Sequence, residues 1–515
     1  MIAEATPTFK SHKILFLSTF GFLMCFSAWM INGVLVTYLT DNGIFQWDMM
    51  QIGWLMGLPV LTGAICRLPM GILTDRFGGK WVFGTLALLC SIPMFLLSKA
   101  NAYSEFLILS FFFGLAGSSF AVGVGFTSVW YPKNWQGRAL GIFGMGSAGA
   151  SVTTLIGPTL LNSLTDNGIN PEGWRKLPVI YSVVLLVVGL SFFLFAENKK
   201  PAASSKSLEQ LLSPLKEIRV WRFGLYYFLL FGCFVALSQW LVPYFVNVYH
   251  CGLVEAGLYA SCFSLPAGVF RILGGVFSDK YGARTVMYCV LSVTIILSFF
   301  LLIPQMEITS PGSGIMATKA GVVTEVNTRE IKVDGKSYLI TQRSNAIDKA
   351  EDKVLILPVK ESWHEVMVKA GDKVSKKQLL AQGTTRIYFQ ANKWIFIALV
   401  LLTGVCWGIG TAAVFKHIPD YFPSQIGLVG GMVGLIGGLG GFIGPILFGY
   451  LLTLTGLWTS SWMFICALAI FCLTWMHLVI TKMMAKRTPD LTGKFENLPL
   501  VKAAPIKKKA IELSA

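Results

Sequence analysis

The sequence predicts an all-α polytopic membrane protein, twelve transmembrane helices arranged as two six-helix halves, with a small all-β extracytoplasmic insert. Composition is the first reason. The 515 residues are 54% hydrophobic and 13% charged, with a mean hydropathy of +0.64, which fits a chain solvated by lipid rather than a string of soluble domains. Apolar runs of spanning length are the second. The third is an internal repeat: Arg67-Leu-Pro-Met-Gly-Ile-Leu-Thr-Asp-Arg-Phe-Gly-Gly-Lys80 is echoed by Arg271-Ile-Leu-Gly-Gly-Val-Phe-Ser-Asp-Lys-Tyr-Gly-Ala-Arg284.

The apolar runs lie near 14–38, 52–73, 81–98, 104–130, 139–161, 177–195, 221–248, 255–277, 285–304, 394–415, 426–454 and 460–481. At about 1.5 Å per residue, most are long enough to cross roughly 30 Å of hydrocarbon. The polar start, Met1 to Lys13, leads into a run too long for a signal-peptide core and reads as a cytoplasmic N-terminus. The expected units are a first half over 1–196, a cytoplasmic linker over 197–220 and helices 7–9 over 221–304. They continue with an inserted β domain over 305–392, helices 10–12 over 393–482 and a basic cytoplasmic tail over 483–515.

A net charge of +16 could suggest nucleic acid, but its distribution excludes that class. With odd-numbered helices running outward, cytoplasmic loops and tails hold 23 lysines and arginines, outward loops 3, the insert together with Lys393 at its exit 14, and the helices 2. That bias places both termini in the cytoplasm; the insert translocates largely regardless of its charge. The run Lys507-Lys508-Lys509 reads as a solvated tail or a contact with anionic membrane lipids. Ten scattered cysteines without Cys-x-x-Cys or histidine partners read as packing residues, and no metal or cofactor constellation emerges.

The repeat locates the insert. Its offset is 204 residues at the arginines but 291 at the loop prolines Pro132 and Pro423, so 87 extra residues lie between them. Only about 306–391 is polar enough, and it alternates as strands do: Gly321 to Val326, then Ile331 to Ile340 with Asp334-Gly335 as a hairpin turn. The stretch Val368 to Ala381 resembles the turn motif of biotinyl/lipoyl-type sandwich domains. Asp348-Lys349-Ala350 echoes a lipoyl-lysine motif but precedes the Gly-Asp turn instead of following it.

Arg67 and Arg271 are the candidate chemistry. Each precedes an aspartate by eight residues, about 12 Å of helix, which sets the guanidinium near mid-membrane, where an unpaired cation costs several kcal/mol. The helix interiors contain no Asp or Glu; only Glu105 and Glu255 occur, near helix starts. A carboxylate pairing that merely holds helices together therefore loses ground to one central anion site. Glycine-rich stretches through Gly114–Gly149 and Gly430–Gly444 allow close helix approach and leave space near the arginines. Both glycine helices close on Ile-Gly-Pro, at 156–158 and 443–445. Parallel halves with a midplane site describe the major facilitator architecture.

With these residues assembled, the chain resembles the nitrate/nitrite porter (NarK-type) family of the major facilitator superfamily over all twelve helices, the insert excluded. The loop at 71–80 marks the superfamily. The stretch Gly117 through Trp130-Tyr-Pro-Lys-Asn-Trp-Gln-Gly137 to Gly149, and Gly437-Gly-Leu-Gly-Gly-Phe-Ile-Gly-Pro445, are similar to the family's signatures. The resemblance implies that Arg67 and Arg271 clamp the anion and that Tyr227 and Phe231 pack against it. Ser147, Gly144 and Gly438 are expected to line the substrate site, Ser147 standing where the family usually has asparagine. Asp75, Arg76, Asp279 and Lys280 are expected to gate the cytoplasmic face.

Two guanidinium forks can each give paired hydrogen bonds to a planar oxyanion, geometry that lysine lacks. The expected function is secondary transport of nitrate and/or nitrite across the bacterial cytoplasmic (inner) membrane, without enzymatic activity or a cofactor. An empty site holding two cations resists closing, which favours nitrate/nitrite exchange; the resemblance also implies proton symport. No titratable carrier is evident, with His417 read as a loop residue and His477 as a packing residue. Transport of another small anion, and a sensor or docking protein whose insert binds an unknown partner, are the alternatives.

Overall fold

The computed structural model describes residues 7–200, 213–303, 306–344, 359–389, 392–422 and 426–487. Among these, eleven helices are long and apolar enough to cross a membrane, and a bent pair supplies a twelfth. In order they are α1 (Phe9–Asp41), α2 (Met49–Phe77), α3 (Gly79–Leu97), α4 (Tyr103–Trp130), α5 (Arg138–Leu164) and α6 (Pro171–Phe195). The second half comprises α7 (Ile218–Tyr249), α8 (Leu253–Val269, then Arg271–Tyr281 after a 43° bend), α9 (Ala283–Phe300), α10 (Lys393–Ile418), α11 (Val429–Thr455) and α12 (Ser460–Lys482). The lipoyl-like Asp348-Lys349-Ala350 and the Lys507-Lys508-Lys509 run lie outside the described residues.

The repeat is visible in backbone detail. Helix α2 breaks at Cys66, immediately before Arg67, and α8 breaks at Phe270, immediately before Arg271. In α2 the cause is Pro69, which has no N–H to give the carbonyl of Ile65 and whose ring crowds it. In α8, Pro266 withholds a donor one turn before the bend. Both segments end at a glycine with positive φ, Gly78 at 87° and Gly282 at 86°, which turns the chain into the next helix at little steric cost. Irregular turns also interrupt α4 at Gly114–Ser118 and α5 at Met145–Ala148, where the helix tightens. Helix α7 instead widens by one residue at Phe228–Gly232.

The halves are sealed together on one side of the arginines. Here α2 meets α11, where a Cβ on Gly53 would stand 2.5 Å from the Pro445 carbonyl oxygen and one on Gly57 2.6 Å from that of Phe442. Gly33 of α1 lies against the backbone of Gln239 in α7, whose amide donates to the Met56 carbonyl at 3.3 Å. Gly257 of α8 lies against the Thr154 carbonyl of α5, and the Ser151 and Ser264 hydroxyls share a buried hydrogen bond of 2.9 Å. On the other side, Gly71 and Gly275, each one turn after its arginine and on the same helix face, have no neighbour within 4 Å. The arginines thus stand between the sealed contacts and the open faces at Gly71 and Gly275.

The insert forms two antiparallel sheets. In one, β1 (Met306–Met316) pairs with β7 (Leu379–Phe389), which pairs with β5 (Val359–Val366); in the other the order is β4 (Lys336–Leu339), β3 (Glu330–Val333), β2 (Gly321–Val326), β6 (Lys373–Val374). Asp334 and Gly335 both have positive φ, 44° and 78°, as the two-residue hairpin between β3 and β4 requires. Val323, Ile331, Val333, Val374 and Leu380 form a core separate from that of the helices. Because β1 and β7 run side by side, the chain leaves α9 and re-enters α10 through adjacent strands, so the insert grows from the loop without parting those helices.

A bulky residue at the sealed side should break it. Gly257→Leu is expected to separate α5 and α8 at the seal, read as faster backbone hydrogen exchange in both helices; unchanged exchange would show that the seal does not depend on this contact.

Candidate substrate site

Arg67 and Arg271 are both buried, at 3% and 8% exposure, and a single ring is common to them. The guanidinium carbon of Arg67 lies 5.1 Å from the centre of Phe231 and that of Arg271 lies 5.3 Å from it. Phe231 belongs to α7, inside the widened turn, and Tyr227 stacks on it at 4.8 Å with 8° between the planes. The wide turn at Phe228–Gly232 lies just beyond Tyr227 and contains Phe231. It also brings Gly232 against the Gly437 carbonyl and Gly440 of α11, so α7 and α11 touch backbone to backbone beside the arginines.

The hydrogen bonding of the two cations is incomplete. One terminal nitrogen of Arg67 donates to the Gly434 carbonyl at 2.7 Å, while its Nε and Nη2, and Nε of Arg271, are buried without a hydrogen-bond partner among the described residues. Neither arginine forms an ion pair among them. Each unmet donor costs about 1–3 kcal/mol, more for a charged group. The aromatic faces return part of that cost, about 2 kcal/mol for a desolvated guanidinium. What these donors lack is an acceptor, and a planar oxyanion supplies several in one plane.

The other expected residues divide. Gly438 and Gly434 of α11 face Arg67: a Cβ on them would sit 3.9 and 3.5 Å from its Nη1. Gly144 borders open space, with nothing within 4 Å. Ser147 is fully buried, and its hydroxyl donates to the Gly144 carbonyl of its own helix at 3.0 Å. Asp75 and Arg76 lie exposed at the end of α2 away from the seal. Asp279 pairs with Lys416 of α10 at 2.5 Å, a contact inside one half rather than across the two. Arg76 and Lys280 rest on their chain neighbours Phe77 and Tyr281.

Several participants escape sequence reasoning. Phe120 of α4 lies 5.3 Å from the Arg67 guanidinium and Phe415 of α10 meets Tyr227 edge-on at 4.9 Å. Nothing distinguishes these phenylalanines among the chain's 38. His417 is a correction: it lies in α10, not in a loop, and is buried with its ring stacked on Phe223 at 5.4 Å. A helix that continues past the apolar run as far as Tyr421 carries it inward. His477 is exposed on α12, with its ring within hydrogen-bond distance of the Tyr288 hydroxyl at 3.2 Å. Arg222 is the second correction. It lies at the start of the seventh apolar run and is counted among the cytoplasmic charges, yet it is 7% exposed in the second turn of α7.

Comparisons with known proteins agree with this architecture. Residues 17–323 and 379–511 match the model of the Major Facilitator Superfamily, leaving out most of the insert. The chain is 36% identical over 490 residues, 94% of its own length and 95% of the relative's, to a probable nitrate/nitrite antiporter NarK1 of Thermus thermophilus. It is 27% identical to a probable nitrate transporter NarT of Staphylococcus carnosus, over 89% of this chain and 93% of that one. A nitrite extrusion protein of Bacillus subtilis is 27% identical over 61% of this chain and 77% of its own. A bacterial homologue of the human lysosomal transporter Spinster superposes with a TM-score of 0.61 over 92% of this chain and 97% of that one. At 13% identity it shows the fold alone. The chain belongs to the Major Facilitator Superfamily and, within it, to the nitrate/nitrite porters. It is a multi-pass membrane protein of a transporter family, not an enzyme.

Replacing the shared ring tests the geometry without reference to a substrate. Phe231→Leu keeps an apolar side chain but removes the π face; it is expected to lower stability by about 2 kcal/mol, the worth of a desolvated cation–π contact, while Phe231→Tyr stays near the parent. Thermal unfolding in detergent reads both, and equal midpoints for Leu and Tyr would remove the ring's role.

Proposed function

We propose that this porter carries nitrate and nitrite across the bacterial cytoplasmic membrane by alternating access, with the anion held between Arg67 and Arg271. The observation that carries the reading is the pair of buried guanidiniums, one from each half, whose remaining donors have no partner among the described residues. The relatives' names supply the anion. Guanidinium edges and aromatic walls suit a planar, weakly hydrated ion and disfavour a strongly hydrated one. Tyr227, Phe231, Gly438 and Gly144 shape the space around it, and Ser147 acts through the backbone of α5. On the positive-inside assignment, the space beside Gly71 and Gly275 opens to the cytoplasm, with Asp75, Arg76, Asp279 and Lys280 at its mouth, and the insert stands on the outer face.

Exchange follows from charge. Two cations in a low-dielectric site repel, and bringing the halves together around an empty site costs more than doing so around an anion. A loaded carrier therefore crosses and an empty one does not, so nitrate entering is matched by nitrite leaving. Proton symport is the second reading, favoured by the burial of His417, a titratable side chain within α10.

Proteoliposomes distinguish these readings. Nitrate uptake is expected only when nitrite or nitrate is trapped inside; entry into anion-free vesicles with matching external alkalinisation would overturn exchange in favour of symport. Arg67→Lys and Arg271→Lys, which keep the charge but lose the fork, are each expected to lower uptake at least about a hundredfold, the loss of two charge-assisted hydrogen bonds. Wild-type uptake in either would refute the clamp. Removing 308–390 is expected to leave flux unchanged, and its loss would make the insert part of the transport cycle.

A further inference from the structure

We infer that the start of α7 and the end of α12 form a binding site for the headgroup of an anionic phospholipid, independent of the transported anion. The observation is Arg222, the third buried arginine of the described residues. Its guanidinium lies 5.3 Å from the ring of its neighbour Phe223, its Nε is buried without a hydrogen-bond partner, and it forms no ion pair among the described residues. A buried, unpaired guanidinium is expensive unless something brings an acceptor to it.

The place where an acceptor would enter is a cavity of about 170 Å³ lined by Ile218, Arg219, Arg222, Trp475 and Val479. Two arginines and three apolar side chains line it, and none of the five is acidic. Glu217, just before α7, is exposed and pairs with neither arginine among the described residues. Lys482, one turn beyond Val479 on α12, adds a third cation on the same face.

The surroundings say which anion. Ile218 at 65% exposure, Trp221 at 49% and Leu478 at 62% flank the cavity with apolar surface that only lipid can cover in a membrane. The site lies at the terminal turns of two spanning helices, the depth at which phosphates of a leaflet stand. Positive-inside counting makes this the cytoplasmic leaflet, whose surface is anionic. A ligand with a phosphate for Arg219 and Arg222 and an acyl chain along Ile218, Trp475 and Val479 satisfies every lining group; a free phosphate leaves the apolar half uncovered. Arg219 also rests over Tyr421 at 5.7 Å, so the site reaches the end of α10 near His417.

The test uses the full chain in detergent, with native mass spectrometry and thermal unfolding as readouts. Phosphatidylglycerol is expected to be retained and to raise the midpoint, and phosphatidylcholine or inorganic phosphate at equal concentration is not. Arg219→Gln and Arg222→Gln are each expected to weaken retention about fivefold, the effect of one basic residue near a charged bilayer surface. Val479→Trp, which fills the cavity and leaves both arginines, is expected to abolish it. If Arg222→Gln does not fold, the other two variants decide. Undiminished phosphatidylglycerol retention in Arg219→Gln and Val479→Trp would overturn the site. An equal midpoint rise with inorganic phosphate would replace the lipid with a small-anion site, and an equal rise with phosphatidylcholine would reduce it to unspecific solvation.

Discussion

The structure depends on the placement of two guanidiniums in a medium that solvates neither. Arg67 and Arg271 sit at helix breaks in α2 and α8, and no carboxylate pairs with them among the described residues. The protein meets that cost piecemeal: the Gly434 carbonyl takes one hydrogen of Arg67, and Phe231 offers its π electrons to both. Each device is neutral. The site keeps its full positive charge, which a buried aspartate would cancel. For the proposed clamp a neutral scaffold around a net charge of two is what is needed, because a permanent counter-ion would compete with the anion.

Helix irregularity serves the same end. Helices α1, α2, α4, α5, α7 and α8 tighten, widen, break or bend along their length, while α3, α9 and α12 run uninterrupted. Non-helical backbone inside a membrane is tolerated where it borders a cavity or is buried in protein, so the breaks outline the space at the centre. In α7 the wide turn contains the residue that both arginines share. In α11, which stays helical, glycine does the corresponding work: Gly434 borders Arg67, Gly438 lets Ala64 of α2 approach beside it, and Gly437 accommodates the Tyr227 ring. Replacing side chains by glycine creates the space without breaking the ladder.

Much of this was legible because it is written in repeats and counts. The 204-residue offset that pairs the arginines also pairs Gly71 with Gly275, Asp75 with Asp279 and Gly78 with Gly282, and the structure repeats in both glycine pairs what the sequence repeats. The 87 extra residues had to be an insert, and Asp334-Gly335 announced its hairpin. What stayed hidden has no local signature. A π turn in Phe228–Gly232 is composed of ordinary apolar residues, and Phe120 and Phe415 gain meaning only from what packs across from them. Arg222 and His417 were assigned to the aqueous ends of their helices, since hydropathy sees a polar residue near a boundary as the boundary itself. Each is buried because an aromatic ring, Phe223 in both cases, covers it.

The sealed side shows why the two halves can separate at all. Its contacts are mostly glycine against backbone: Gly53 on Pro445, Gly57 on Phe442, Gly257 on Thr154. Such surfaces gain dispersion energy from close approach with little interlocking of side chains beyond Trp54 against Phe442 at 5.9 Å, and the side-chain hydrogen bonds between the halves among the described residues are few: Ser151 with Ser264, Gln239 with Met56 and Arg67 with Gly434. A seam of interdigitating leucines would have to unpack residue by residue, whereas smooth backbone faces part together. Their combined attraction is the term against which the repulsion of the two arginines acts. In the proposed cycle, closing the opposite side requires the seam to open, so the seam has to be weak enough for the change in net charge at Arg67 and Arg271 to tip the balance. Glycine sets that strength low, and the same residue type that makes the site roomy makes the gate reversible.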